Sequence, residues 1–261
     1  SCVLLSLLVV IWLMSKNDNP SYKLAWTILI LLLPIFGGLL YLIFGIKRLP
    51  RNFRKSMKRV TEDMKNLLRQ QEDVYQEISA DKDIKKQVDY FKNFAGFPVY
   101  KNTITEYLSP GEMKFERMVE ELKKAKHYIF LEYFIIEEGI MWDTILDILE
   151  QKVQEGVEVR VMYDDIGCIN TLPNRYDAKL RRMGIKCCVF NPFHAKLNAL
   201  FNNRDHRKIL VIDGCVAFTG GINLADEYIN AYPKHGHWKD ASILVKGDAV
   251  WSFTIMFLTA W

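Results

Sequence analysis

Eight residues, His206-Arg207-Lys208-Ile209-Leu210-Val211-Ile212-Asp213, carry the densest chemistry in this chain. They read H-x-K-x-x-x-x-D and are followed by Gly214 and then by Gly220-Gly221-Ile222-Asn223. An imidazole, an ammonium and a returning amide suit an anionic phosphate. His206 would act as nucleophile or proton carrier, while Lys208 and Asn223 hold oxygens. Ile209 to Ile212 is an unbroken aliphatic run, as in a strand buried on both faces. Side chains alternate along a strand, so the spacing puts His206 and Lys208 on one face and Asp213 on the other. At roughly 3.3 Å per residue, His206 and Asp213 stand about 20 Å apart. Asp213 is therefore expected to be the motif's structural acid, ending the strand and fixing the Gly214 turn. A blander reading fits the same residues: a buried strand opened by a basic patch and closed by an Asp-Gly turn.

The elements that must position this stretch read as alternating strands and helices. Strands are expected at 127–136, 157–163, 185–190, 209–212 and 242–245, with 216–219 as a hairpin partner to the motif strand. Helices are expected at 141–155 and 177–183, closed by Gly156 and Gly184, and at 249–261. Such alternation implies an α/β layer with a largely parallel sheet.

Half of the 261 residues are hydrophobic, and they are unevenly spread. Leu24 to Ile46 holds no charged residue, about 35 Å as helix against a hydrocarbon core of about 30 Å. Cys2 to Met14 is a shorter apolar segment without a basic n-region or cleavage site, so it reads as a truncated first membrane helix and not as a signal peptide. Lys47, Arg48, Arg51, Arg54, Lys55, Lys58 and Arg59 follow without an acidic neighbour. The positive-inside rule puts everything after them in the cytoplasm, and they could also hold anionic lipid head groups. The net charge of +4 comes mostly from this cluster and says nothing of nucleic acid. Five cysteines without zinc-type pairing read as free thiols. The expected organisation is a two-helix membrane anchor with a basic stretch over 1–59, a helical linker over 60–95 and a catalytic region over 96–261.

The segment from Asn203 through His206 and Lys208 to Asn223 resembles the catalytic motif of the phospholipase D superfamily. Its flanks resemble the bacterial cardiolipin synthases more narrowly: Leu131-Glu132-Tyr133, Gly156-Val157-Glu158-Val159-Arg160, Tyr163-Asp164-Asp165-Ile166-Gly167, Gly221 through Tyr228, and Trp238-Lys239-Asp240. The resemblance covers roughly 115–261. It implies an α/β/α sandwich, one half of a pseudo-two-fold pair, and phosphatidyl transfer between two phosphatidylglycerol molecules through a phosphohistidine. His206, Lys208 and Asp213 would be the catalytic set, with Gly220, Gly221 and Asn223 binding phosphate. No metal or other cofactor and no nucleic acid is implied. A phospholipase D, a phosphatidylserine synthase or a nuclease of the superfamily would share these residues. The superfamily builds one site from two motif copies and this chain carries one, so a first-half fragment or a site completed across a homodimer axis is expected.

Other candidates stay open. Glu132 in its apolar strand is either a hydrogen-bond acceptor behind the site or a strand-end residue reaching water. Asp240 either accepts from the His206 ring, as a triad carboxylate does, or is an exposed strand-start residue. His235 and His237 read as surface loop residues. His194 lies in the loop before the motif, where it could line a lipid entrance.

Overall fold

The computed structural model describes residues 2–45, 51–192 and 204–261. The expectations for His194, for Lys47 and Arg48, and for the end of the apolar run at Ile46 lie outside these. The described chain divides into two compact units, one up to residue 54 and one comprising 55–192 and 204–261.

The first unit begins with α1 (Cys2–Met14) and α2 (Pro20–Leu32). Asn19 caps α2, its Oδ1 accepting from the Ser21 N–H at 2.9 Å, and Pro20 occupies the first turn, where its missing N–H costs nothing. The expected single helix over Leu24 to Ile46 is not formed. Leu33 adopts φ −125° and ψ 74°, and a new helix, α3 (Pro34–Leu40), starts behind it. Proline excludes the α conformation from the residue before it, so Pro34 breaks the run that hydropathy reads as continuous. A turn of π-helix, Tyr41–Gly45, follows α3. Among the described residues no helix is long and apolar enough to cross a membrane, which corrects the expectation of two spanning helices. Leu13, Ile30 and Tyr41 form the unit's buried centre, and Lys16 Nζ donates to the Tyr41 hydroxyl at 2.8 Å. Gly37 lies against the Leu29 carbonyl, where a Cβ would come within 2.5 Å of the oxygen.

α4 (Arg51–Lys65) begins before the second unit does, and its later turns with α5 (Glu72–Ile78) and α6 (Lys82–Tyr90) occupy the stretch read as a helical linker. Gly96, at φ 74°, terminates the turns after α6. The catalytic region then runs β1 (Thr103–Leu108), α7 (Gly111–Lys123), β2 (Tyr128–Tyr133), α8 (Ile140–Gln154), β3 (Glu158–Asp164), α9 (Asp165–Cys168), α10 (Tyr176–Arg182), β4 (Lys186–Phe190), β5 (Ile209–Ile212), β6 (Val216–Gly220), β7 (Ser242–Gly247) and α11 (Val250–Ala260).

The seven strands form one sheet in the order β1-β7-β6-β5-β2-β3-β4. Only β2-β3 and β3-β4 are parallel pairs; every other neighbour is antiparallel. The sheet is therefore mixed, not largely parallel. The β5–β6 hairpin and its continuation into β7 force that half to alternate direction, while the α8 and α10 crossovers keep the other half parallel. The motif strand β5 sits in the middle, between β2 and β6.

Alternation sorts the side chains into two layers. Leu131, Val161, Leu210 and Phe218 face α7, α8 and α10, where Met118, Leu122, Ile145, Leu149 and Leu180 meet them. Phe130, Met162, Val211 and Ala217 face α11, where Phe257 stacks on Phe130 with ring centroids 4.7 Å apart. Helices thus cover both faces, and all four residues of β5 are buried. Burying each such side chain contributes on the order of 1.5–3 kcal/mol, which fixes the register of the strand that delivers the motif.

Candidate active site

His206 and Lys208 directly precede β5, in a segment outside the regular elements. The register that buries Ile209 through Ile212 determines where they emerge, at the carboxyl ends of the parallel strands β2 and β3. The His206 ring is exposed, while Lys208 is 3% exposed. Lys208 Nζ lies 3.2 Å from His206 Nδ1 and donates to the His206 carbonyl at 2.8 Å. Phe134, just past β2, backs both: its ring centroid is 4.6 Å from the imidazole and 5.3 Å from Lys208 Nζ. Burial lowers the Lys208 pKa, against the pull of the Asp205 and Asp240 carboxylates. The expected shared face of His206 and Lys208 is therefore realised as a direct side-chain contact.

The segment entering β5 is held by acids that sequence reading did not single out. Asp164, fully buried at the end of β3, accepts from the Asp205 N–H at 2.9 Å and from the Gly167 N–H at 3.0 Å. Asp205 Oδ1 takes the Arg207 Nε at 3.0 Å. Arg207 also brings Nη2 to 2.6 Å from Glu132 Oε1. One cation thus serves two buried carboxyls. Burial and the neighbouring Asp205 push the Glu132 carboxyl up to about 9, and Arg207 offsets this only in part. Glu132 is buried and does not reach water, yet among the described residues its carboxyl pairs with Arg207 without accepting a hydrogen bond, so neither reading is met in full. A signal was available in Tyr163-Asp164 at a strand end and in the acid directly before the motif histidine.

Asp213 stands at the other end of β5, away from His206. Its carboxylate accepts three backbone N–H groups, those of Lys126, His127 and Tyr128, each at 2.8 Å. It occupies the left-handed region at φ 52°, which Asp tolerates better than most residues. Asp213 therefore ties the end of the motif strand to the start of β2 and does not touch the imidazole.

The glycine pair and Asn223 are also put to structural use. The Gly221 N–H donates to the Ala241 carbonyl at 3.1 Å, and a Cβ on Gly221 would strike the Asp240 carboxylate. Gly220 is equally pressed against Ala241 and Ser242. Their missing side chains let the start of β7 and Asp240 approach. Asn223 is buried; its Oδ1 accepts from Ile135 N–H at 3.1 Å and its Nδ2 donates to the Tyr228 hydroxyl at 2.9 Å. That amide joins the chain after β2 to the chain after β6. Asp240 takes Trp238 Nε1 at 3.3 Å and its neighbour's N–H, and its charge acts on Lys208 and Lys114. Among the described residues no hydrogen bond joins Asp240 to His206, so the triad-like pairing is not formed. His235 and His237 are exposed, with the His235 ring 6.3 Å from that of Trp238.

Lys114 is the residue sequence reading missed altogether. It is fully buried on α7 and donates to the Ile222 carbonyl at 2.8 Å. Burial brings its pKa down to about 7. A signal existed: Lys114 shares helical spacing with Met118, Glu121 and Leu122, the buried face of α7.

A family model described as phospholipase D-nuclease N-terminal matches residues 3–45, and one described as cardiolipin synthase, PLD-like domain matches residues 118–232. An uncharacterized protein of Streptococcus mutans is 44% identical over 253 residues, covering 97% of this chain and 55% of that protein. A cardiolipin synthase of Oceanobacillus iheyensis is 34% identical over 254 residues, 94% of this chain and 52% of that protein. The solved phosphatidylserine synthase of Haemophilus influenzae Rd KW20 is similar with TM-score 0.48 and 15% identity over 59% of this chain and 35% of that one. The chain spans about half the length of the curated relatives it matches. The two family models match 3–45 and 118–232, and cardiolipin synthase relatives align along nearly the whole chain, so the chain is similar to the cardiolipin synthases of the phospholipase D superfamily.

Proposed function

We propose that this chain supplies a histidine–lysine half-site for phosphatidyl transfer between two phosphatidylglycerol molecules. The observation that carries the reading is an exposed imidazole held 3.2 Å from the Nζ of a buried lysine. In the first step an imidazole nitrogen bonds to phosphorus and the bond from phosphorus to the glycerol oxygen breaks. A second histidine gives that oxygen its proton. The same histidine then takes the proton of the incoming phosphatidylglycerol hydroxyl, whose oxygen displaces the first imidazole. Lys208 meets the charge growing on the phosphoryl oxygens from within the protein, and Asn223 adds an amide. The second histidine comes from another such motif in the whole protein or from a second copy of this chain.

A lipid substrate is favoured by the N-terminal unit. Leu4, Ile11, Leu24, Ile28, Leu32, Ile35 and Phe36 are exposed on its helices, an apolar surface that needs cover. We read this unit as the membrane attachment and the basic residues after it as facing the cytoplasmic leaflet. A phospholipase D or phosphatidylserine synthase would use the same half-site with water or serine as acceptor. The test is product analysis of the full-length protein in phosphatidylglycerol vesicles, with water and serine as competing acceptors. Cardiolipin and glycerol in equal amounts are expected. Phosphatidic acid or phosphatidylserine as the main product would move the assignment to those rivals.

A further inference from the structure

An ammonium inside a protein core is costly unless its position supplies something an apolar residue cannot. Lys114 is fully buried, on a helix face it shares with Met118, Leu122 and the buried Glu121. Its Nζ reaches across to the Ile222 carbonyl at 2.8 Å and stands 5.0 Å from the Tyr133 ring centroid. The helix comes this close because Gly111, its first residue, lies directly against the Tyr228 carbonyl, where no side chain would fit. Ile222 is the residue between Gly221, on which the Asp240 carboxylate packs, and Asn223, whose amide joins Ile135 to Tyr228. The short segment after β6 is thus held at three successive residues, by Asp240, by Lys114 and by the Asn223 amide.

We propose that Lys114 is a positioning residue for the phosphate site: from the core it fixes the Gly221–Ile222–Asn223 segment and, through Gly221, the place of Asp240 beside Lys208. The charges agree with this placement, since Asp240 acts on both Lys114 and Lys208. One carboxylate therefore serves two buried lysines, and displacing the segment would take that carboxylate from Lys208. Lys114 itself touches no reacting atom.

The proposal rests on the transfer reading, so the experiment carries one measurement that does not. Full-length protein in nanodiscs containing phosphatidylglycerol is compared as wild type, Lys114→Met and Lys114→Arg. Hydrogen exchange of the peptide covering 221–224 should quicken at least ~10-fold in Lys114→Met, while peptides from β2 and β5 keep their protection. In the same variant kcat for cardiolipin formation should fall ~10-fold or more with KM unchanged, and Lys114→Arg should recover part of it. Unchanged exchange at 221–224, or an equal rise throughout the catalytic unit, overturns the proposal. Local loosening in a protein whose wild type makes no cardiolipin sinks the transfer reading and leaves the anchoring of the segment standing. Should the Met variant fail to fold, Lys114→Leu, which likewise removes the donor, carries the same exchange comparison.

Discussion

Lys208 holds His206 twice, through Nζ at 3.2 Å from Nδ1 and through a bond to its carbonyl at 2.8 Å. While Lys208 is an ammonium it can only donate, so Nδ1 must accept and the neutral ring carries its proton on Nε2. That tautomer suits the proton-giving role. The pair is therefore a unit, and the two residues should not be separable by mutation.

Replacing His206 by Ala or Asn should abolish transfer with expression and fold intact, because the exposed ring contributes chemistry and little packing. Lys208→Ala should cost roughly 3–4 kcal/mol of transition-state stabilisation, the scale of a lost donor in a preorganised site. Lys208→Arg should also be poor, since a planar fork does not replace a compact ammonium. In the double variant His206→Ala/Lys208→Ala the losses should fall well short of additive. Kinetics of cardiolipin formation check all five variants; a fully active Arg variant would show that any cation serves there.

Asp213 should behave as a stability residue. Its carboxylate satisfies three backbone N–H groups at the start of β2. Asp213→Ala should lower unfolding stability by about 1–3 kcal/mol, the cost of leaving such donors without their partner. Asp213→Asn tolerates the same backbone conformation and should lose less. The check is denaturation together with kcat per folded molecule. A large fall in kcat at unchanged stability would return Asp213 to the chemistry.

How far the site was legible follows from the kind of signal each residue gives. The motif strand was legible because four successive aliphatic residues bury both faces, whatever packs on them. His206 and Lys208 were legible because period-2 spacing alone puts them together. Lys114 was not: a lysine in an amphipathic helix reads as surface until the Ile222 carbonyl is found opposite it. The partners of Asn223 and Asp240 come from segments far along the chain, which spacing cannot supply. The break at Leu33 was hidden for another reason. Hydropathy sums the apolar residues of 24–46 and does not see the backbone angles that Pro34 imposes. The sheet direction was misjudged because β1 was not recognised and the β5–β6 hairpin was given too little weight against the βα alternation.

Glu132 gives a pH prediction whose sign can be worked out. Its folded pKa is raised, to about 9 from 4.5, because burial and Asp205 disfavour its charge. A carboxyl raised on folding binds its proton more tightly in the folded state. Its contribution to stability is fully present below about pH 4.5 and is lost as pH rises toward 9. Glu132→Gln, fixed in the neutral form, should therefore match wild type near pH 5 and exceed it increasingly between pH 6 and pH 9. Urea denaturation of both proteins across that range reads the difference. An advantage that is constant with pH, or largest in acid, would show that Arg207 keeps Glu132 ionised.

The last expectation concerns the second half of the site. This chain carries one H-x-K-x-x-x-x-D motif, and the proposed chemistry needs two histidines on opposite sides of one phosphorus. If the partner histidine belongs to a second motif in the whole protein, the 261-residue chain should fold in nanodiscs yet form no cardiolipin from phosphatidylglycerol. Adding the polypeptide that carries the other motif should then restore transfer. If two copies of this chain face each other across a two-fold axis, the chain alone should be active. Its specific activity should then rise with protomer concentration. Mixing His206→Ala with wild-type chain separates the two further. A dimeric site loses activity in proportion to mixed pairs, whereas a site completed by another motif is indifferent to the added variant. Cardiolipin formed by the isolated chain would settle the matter for the dimer and remove the need for a second motif.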